Sequence, residues 1–363
     1  MKINVITKNL HKALISTERI IGKSLNLPIL SCVLLKTENG RLKLSSTNLE
    51  IGINYWIGSK INEEGEIAVP VKILSDFISN LPEDKIEIHS KENILNISTD
   101  DHKTQMVGFE TKDFPLIPKV KGDPITTINS KVLANVLSSV FDSISLSETR
   151  PELTGVYVGF STGEIIIAST DSFRLSEKKI EHNNNQLISV IIPRNTISEI
   201  IRLSGELDED LKIYVSENQI QVSGENIELV SRLISGHYPD YQKIIPVNSS
   251  SKAIYNKEEL LKAVKLTSLF SSNINDIKIK VDEDFTEVSA KHVDRGETNS
   301  KIKSKLVNEK FDLSLNYNYL LDGLKNIQSK EVVLEYVGQG SPLVLRPNDK
   351  DIKYLYLIMP LRS

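Results

Sequence analysis

Cysteine is almost absent from this sequence: Cys32 is the only one in 363 residues. An intramolecular disulfide is therefore excluded, and a reducing compartment is expected. Long apolar runs are missing too. No stretch of roughly 18 apolar residues occurs, so no transmembrane helix is expected. The opening MKINVITKNLHKAL has no extended apolar segment, which argues against a signal peptide. The expectation is a cytoplasmic protein that meets no membrane. Positive charge is in slight deficit, with 44 Lys and Arg against 48 Asp and Glu and a formal net charge of −4. As a sum, that argues against a nucleic-acid binder, whose footprint is usually basic. For a polyanion, what matters is where the cations sit.

Catalytic constellations are lacking as well. His11, His89, His102, His182, His237 and His292 stand apart, with no spacing suited to zinc. No Walker-type phosphate loop, dinucleotide fingerprint or nucleophile elbow occurs. The run DEDFTE (Asp282–Glu287) reads as the polar tip of a hairpin, not as a metal site. Asp171 in STDSFRL reads as a turn-capping carboxylate, not as a catalytic acid. No metal, no cofactor and no catalytic residue are expected.

What is present is repetition. Hydrophobic residues at 39% and charged residues at 25% suit a globular protein, and the length allows two or three domains. Pro70 precedes the helical pattern VKILSDFISNL, Pro193 precedes RNTISEIIRLSG and Asn316 precedes YNYLLDGLKNI, in steps of 123 residues. Proline at a helix start and asparagine as N-cap are both start signals. Thr47 of SSTNLEIGI and Thr170 of ASTDSFRLS are also 123 apart, as are the turns Asn39-Gly40 and Thr162-Gly163. Leu10, Leu133 and Leu260 mark three opening helices, at gaps of 123 and 127. YPDYQKIIP (Tyr238–Pro246) echoes FPLIPKV (Phe114–Val120). Three units follow, 1–122, 123–247 and 248–363. Each is expected to hold a helix, a hairpin of alternating strands, a second helix, another hairpin and a closing strand. That is an α+β arrangement of antiparallel sheets.

The cations are not scattered evenly. Lys8, Lys12, Arg19 and Lys23 are 4, 7 and 4 residues apart, which puts them on one face of a helix. Leu10, Ala13, Leu14 and Ile21 take the other side. Lys262 and Lys265 mark the third opening helix, and the second contributes only Lys131 and the neighbouring Arg150. Lys72, Arg194, Arg202 and Lys325 belong to the second helices. Repeat symmetry would bring such faces onto one mildly basic surface, which attracts phosphates without reading bases.

In this order and spacing, LPILS (Leu27–Ser31), LTG (Leu153–Gly155), TDSFRL (Thr170–Leu175), YPDYQKIIP, NYNYLLDGL (Asn316–Leu324) and YLIMPLR (Tyr356–Arg362) carry a resemblance. Over essentially the whole chain, it is to the bacterial sliding clamp family, the beta subunits of DNA polymerase III. The resemblance implies three repeated clamp-type domains, each with two pore-facing helices and antiparallel sheets, forming half of a closed ring. A second copy, head to tail, would complete the ring. It implies a homodimer that encircles duplex DNA without sequence preference, confers processivity on the replicative polymerase and catalyses nothing itself. DNA polymerases, the clamp loader and repair proteins would dock through short linear motifs.

Their implied pocket, between the second and third repeats, comprises Leu153, Thr170, Phe173, Arg174, Leu175, Pro239, Lys243, Ile244, Asn316, Tyr319, Leu357, Met359, Pro360, Leu361 and Arg362. The implied seam pairs Met106 and Phe109 on KTQMVGF (Lys103–Phe109) with Leu269 and Phe270 of the other copy. DNA contact falls to Lys8, Lys12, Arg19, Lys23 and Arg150. Two departures stand out: Ser172 replaces the glycine usual in the family, and the chain ends on Ser363. An enzyme using Asp171, Arg174 and Tyr241, or a secreted repeat-built binding protein, are the competing readings.

Overall fold

The computed structural model describes residues 1–22, 27–182 and 187–361. The first third runs β1 (Lys2–Ile6), α1 (Thr7–Glu18), β2 (Cys32–Glu38), β3 (Arg41–Thr47), β4 (Ile51–Glu63), β5 (Glu66–Pro70), α2 (Val71–Ser79), β6 (Lys85–Lys91), β7 (Ile94–Ser98) and β8 (Lys103–Val107). The second runs β9 (Thr126–Asn129), α3 (Ser130–Phe141), β10 (Gly155–Ser161), β11 (Glu164–Thr170), β12 (Arg174–Glu181), β13 (Ile188–Pro193), α4 (Arg194–Glu206), β14 (Asp210–Val215), β15 (Gln219–Ser223) and β16 (Ile227–Arg232). The third runs β17 (Ser251–Asn256), α5 (Lys257–Ser268), β18 (Asp276–Val281), β19 (Phe285–His292), β20 (Gly296–Lys303), β21 (Lys305–Asn308), β22 (Phe311–Asn316), α6 (Tyr317–Asn326), β23 (Glu331–Tyr336), β24 (Leu343–Pro347) and β25 (Tyr354–Ile358).

The opening helices begin at residues 7, 130 and 257, and the second helices at 71, 194 and 317. The spacings of 123 and 127 therefore hold for whole elements and not only for single residues. Local chemistry sets these starts. The Asn256 side chain accepts from the amides of Glu258 and Glu259 at 3.0 and 3.2 Å. Glu258 and Glu259 then sit in the first turn of α5 and Lys265 in the last, both favourable to the helix dipole. The Asn316 side chain caps α6 by accepting from Asn318 at 3.0 Å, and Pro70 immediately precedes α2.

Each unit departs from the expected order in two ways. A short strand, β1, β9 or β17, precedes the opening helix. These strands are 4 to 6 residues long and run straight into the helix, with no glycine or proline to mark the change. In addition, β4 and β5 follow the first hairpin before α2, and β12 and β13 precede α4 in the same way.

The described residues fall into two compact units. One comprises 1–132 and 202–233. Its twelve-stranded sheet runs β8-β7-β6-β1-β4-β16-β15-β14-β9, with β3 joining β4, β2 joining β3, and β5 joining β2. All these pairings are antiparallel. The helices α1 and α2 pack together, and Leu10, Ala13 and Leu14 are fully buried. The other unit comprises 133–201 and 234–363. It holds a nine-stranded sheet, β13-β10-β11-β12-β25-β24-β23-β17-β21, and a four-stranded sheet, β20-β19-β18-β22. Its main core joins Leu260 and Val264 of α5 and Leu320 and Leu324 of α6 to Ile277, Ile279, Tyr255 and Tyr356 of the strands. Burying each such side chain is worth about 1.5–3 kcal/mol relative to exposure.

Two of the sheet edges carry lysine. Among the described residues, β8 is paired only with β7, and β20 only with β19. Unpaired edges invite another strand unless charge discourages it. Lys103 stands on the first edge, and Lys301 and Lys303 on the second.

Candidate peptide-binding site

The site is built on the loop between β11 and β12. Thr170 Oγ1 donates to the carbonyl of Arg174 at 2.6 Å, and the Ser172 amide donates to Thr170 Oγ1 at 3.1 Å. Asp171 Oδ1 accepts from the amides of Phe173 and Arg174 at 2.9 and 3.0 Å. Asp171 is thus a turn-capping carboxylate, as its sequence setting indicates. Ser172 has φ of 77°, in the left-handed region. The loop therefore keeps a glycine-type backbone with a serine in place, at a cost of about 1 kcal/mol. The turn pushes Phe173 outward, 61% exposed.

Below the loop lies an apolar floor. Leu175 on β12 pairs with Leu357 on β25, which pairs in turn with Val344 on β24. Leu175, Val344, Leu355, Leu357, Ala168 and Tyr241 form one buried cluster. Tyr241 opens the short turn Tyr241–Ile244 and donates its hydroxyl to Glu177 Oε2 at 2.7 Å. The rings of Tyr157, Tyr238 and Tyr241 lie 5.4 to 6.2 Å apart, tilted or edge-on. Burial pushes the Tyr238 and Tyr241 phenols up, and Glu177 raises Tyr241 further, so both stay neutral as scaffold. Around this floor, Ile244 is 55% and Met359 40% exposed. Pro239 is half-buried, and Lys243 is exposed and paired with Asp240 at 2.9 Å.

Arg174 is already committed within the chain. Its Nε donates to Asp171 Oδ2 at 2.9 Å, its Nη1 pairs with the Asp322 carboxylate, and its guanidinium lies 4.5 Å from the Tyr319 ring centroid. Burial alone would lower its pKa, but Tyr356, Asp322 and Asp171 reverse the direction. Burial raises the Asp322 carboxyl, against the pull of Arg174. The Asn316 side chain is spent on capping α6. The Met359 amide donates to Phe173 O, and the Leu361 amide to Ser314 O, both at 2.8 Å. Pro360 is half-buried between them. Leu153 is buried at the end of the turn Pro151–Leu153. Arg362 lies outside the described residues.

Two clefts border these residues. One, of about 640 Å³, is lined by Met359, Pro360 and Leu361 together with Lys278, Ser314 and Tyr336. The other, of about 690 Å³, involves Gln242, Ile245 and Leu355. Sequence reasoning missed Val344 and Leu355 in the floor, because their strands are buried on nearly every position and show no alternation, and it missed Ala168, which lies where the alternation of β11 gives way to a fully buried run. It also missed Asp322, although this residue lies one turn beyond Tyr319 on α6.

The remaining candidates are spread over both units. Lys8 and Lys12 are exposed on one face of α1, and Arg19 is exposed just past its end. The helix ends at Glu18, so Arg19 caps it. Lys23 lies outside the described residues, and the helical face argument stops at Arg19. Arg150 is paired with Glu152 at 3.0 Å. Arg194 sits over the Phe141 ring at 4.2 Å, a packing role more than a charge offered to solvent. At the expected seam, Phe109 and Leu269 are exposed, Phe270 is half-buried and Met106 is buried. Asp282 and Glu283 form the turn between β18 and β19 and pair with Lys310 at 2.7 and 3.0 Å. Among the described residues, no cluster of His, Cys, Asp or Glu could hold a metal, and no helix is long and apolar enough to cross a membrane.

Comparison with known proteins decides the family. Three family models match in order: the DNA polymerase III beta subunit N-terminal domain at 1–118, its central domain at 127–240 and its C-terminal domain at 242–362. The chain belongs to the DNA polymerase III beta subunit family. Beta sliding clamps of Staphylococcus epidermidis and Staphylococcus aureus are each 29% identical over 360 residues, which is 96% of this chain and 95% of theirs. The Bacillus subtilis sliding clamp structure superposes with a TM-score of 0.96 at 24% identity, covering 100% of this chain and 99% of that one. A putative DNA polymerase III beta subunit from Eubacterium rectale gives 0.95 at 26% identity, covering 100% of both chains. A Pseudomonas aeruginosa sliding clamp bound to griselimycin gives 0.96 at 24% identity, also covering 100% of both.

The α+β class with repeated clamp-type domains is therefore the one found, with six α-helices and antiparallel sheets among the described residues. The relatives are named beta sliding clamps and the matching models DNA polymerase III beta subunit domains, and this chain is a sliding clamp of the polymerase III type.

Proposed function

We propose that two copies of the chain close head to tail into a ring around duplex DNA, in the cytoplasm, and hold the replicative polymerase on its template. The repeat carries this reading: opening helices at 7, 130 and 257, second helices at 71, 194 and 317, and three clamp-domain matches in register with them. Domains of 1–122, 123–247 and 248–363 fit that register. Copies of one curved unit are the simplest way to enclose a nearly cylindrical polyanion. The edges of β8 and β20, with Phe109, Leu269 and Phe270, are suited to meet in the seam as strand addition between subunits. Such a contact joins unlike surfaces, and a ring results when the rotation closes. Lys8, Lys12, Arg19, Lys23 and Arg150 would contact phosphates. Few contacts of this kind position a protein on DNA without fixing it to a sequence.

The floor of Leu175 and Leu357, rimmed by Phe173, Ile244 and Met359, would receive short apolar motifs of DNA polymerases, the clamp loader and repair proteins. Apolar walls with a few fixed polar groups suit such ligands, and methionine at the lip adapts to several of them. The ring has no catalysis of its own on this reading. Two measurements test it. Light scattering should give about twice the 40.7 kDa chain mass. Deleting residues 359–363 should abolish binding of a peptide from the replicative polymerase and leave that mass unchanged. A monomer in the first measurement, or dissociation in the second, contradicts the assignment.

A further inference from the structure

The loop over the candidate pocket has a twin 123 residues earlier. Thr47 Oγ1 donates to the carbonyl of Ile51 at 2.9 Å, and the Leu49 amide donates to Thr47 Oγ1 at 3.0 Å. Asn48 Oδ1 accepts from the amides of Glu50 and Ile51 at 3.0 and 2.8 Å. Leu49 has φ of 75°, against 77° at Ser172. The partner strand repeats too. The Arg232 amide donates to Glu50 O at 3.0 Å, where the Met359 amide donates to Phe173 O at 2.8 Å. Gly52 pairs with Val230 as Leu175 pairs with Leu357.

A cavity of about 210 Å³ opens at this twin, with Leu49, Ile51, Leu116, Ile117, Val230 and Arg232 in its lining. Its size follows from one exchange. Gly52 stands where Leu175 stands in the other copy, and Ile117 leans onto it so closely that a Cβ there would lie 2.7 Å from Ile117 Cγ2. Ile117 thus takes up part of the space and leaves a small opening. Leu49 is 46% and Leu116 96% exposed, two large apolar side chains beside one cavity. Glu50 and Arg232, both exposed, offer one charge of each sign. That balance suits the donors and acceptors of a peptide and disfavours a polyanion.

We propose that this cavity is a second, smaller docking site, for a short extended peptide that presents one compact apolar side chain such as leucine. The inference rests on reading the loop at 170–174 as part of a peptide pocket, because the shared framework is the argument. Methyl NMR on the full-length chain separates the two claims. With the capped dipeptide acetyl-Leu-Phe-amide as probe, methyls of Leu49, Ile117 and Val230 should shift saturably, alongside those of Leu175 and Leu357. Ile117→Ala should enlarge the first site and tighten the probe there at least threefold, with the second set unchanged. If Leu175 and Leu357 respond while Leu49, Ile117 and Val230 do not, the second site is overturned and the pocket reading stands. If neither set responds, both fall. An Ile117→Ala chain that folds and binds no tighter at the first site also overturns the inference, and should that variant not fold, the wild-type titration decides.

Discussion

Arg174 and Asp322 pair across β12 and α6, and the same guanidinium grips Asp171 and covers the Tyr319 ring. One cation therefore fixes the loop at 170–174 relative to the helix that carries Tyr319. Asp322→Asn keeps the shape and removes the charge that anchors the guanidinium. Partner-peptide affinity, read by fluorescence anisotropy, should fall several-fold. Stability should fall by only about 1 kcal/mol, since the pair is partly open to solvent. Asp322→Glu should retain more affinity than Asp322→Asn.

Ser172 and Leu49 both occupy a region that glycine enters at little cost. Ser172→Gly should therefore raise stability by about 0.5–1 kcal/mol, and Ser172→Val should lower it by about 1–2 kcal/mol, because β-branching worsens the clash. Urea unfolding of the two variants checks the sign.

Glu335 accepts from Lys252 at 2.7 Å and from Arg346 at 3.1 Å. Burial alone would raise its carboxyl, but the two cations outweigh it and hold the pKa below the usual carboxylate range. A lowered folded-state pKa means that the stabilisation is present above the unfolded value, near pH ~4.3, and is lost as pH falls through the folded value. Glu335→Gln should be less stable than the parent at neutral pH, and the gap should close as the solution is acidified below pH ~4. Unfolding midpoints along a pH series measure it.

The exposed cations of α1 carry a separate expectation. Replacing Lys8, Lys12 and Arg19 together by glutamine should weaken binding to any duplex equally. The slope of log affinity against log salt should shrink by up to about 1 for each phosphate no longer neutralised. A sequence-dependent weakening would contradict a purely electrostatic role.

The helices were legible because their signals are local: Pro70, Pro193 and Asn316 mark starts, and a 3.6-residue period marks the buried face. Asp171 was legible for the same reason, as a capping residue in a turn. Sheet organisation was not. The thirteen-residue strand β4 pairs with β16, so that Gly52 meets Val230 far along the chain. No local pattern encodes such a partner, and this pairing is why 202–233 belongs with 1–132 in one compact unit. The pocket residues came from motif resemblance. Arg174 and Asn316, which that resemblance counts in the pocket, pair with Asp322 and cap α6.

Retention on DNA of defined topology tests the central claim most directly. The chain, loaded with ATP by a bacterial clamp loader onto nicked circular DNA, should remain bound through gel filtration and be released once the same DNA is cut to linear form. Equal retention on circular and linear DNA would show that the protein grips the duplex instead of encircling it.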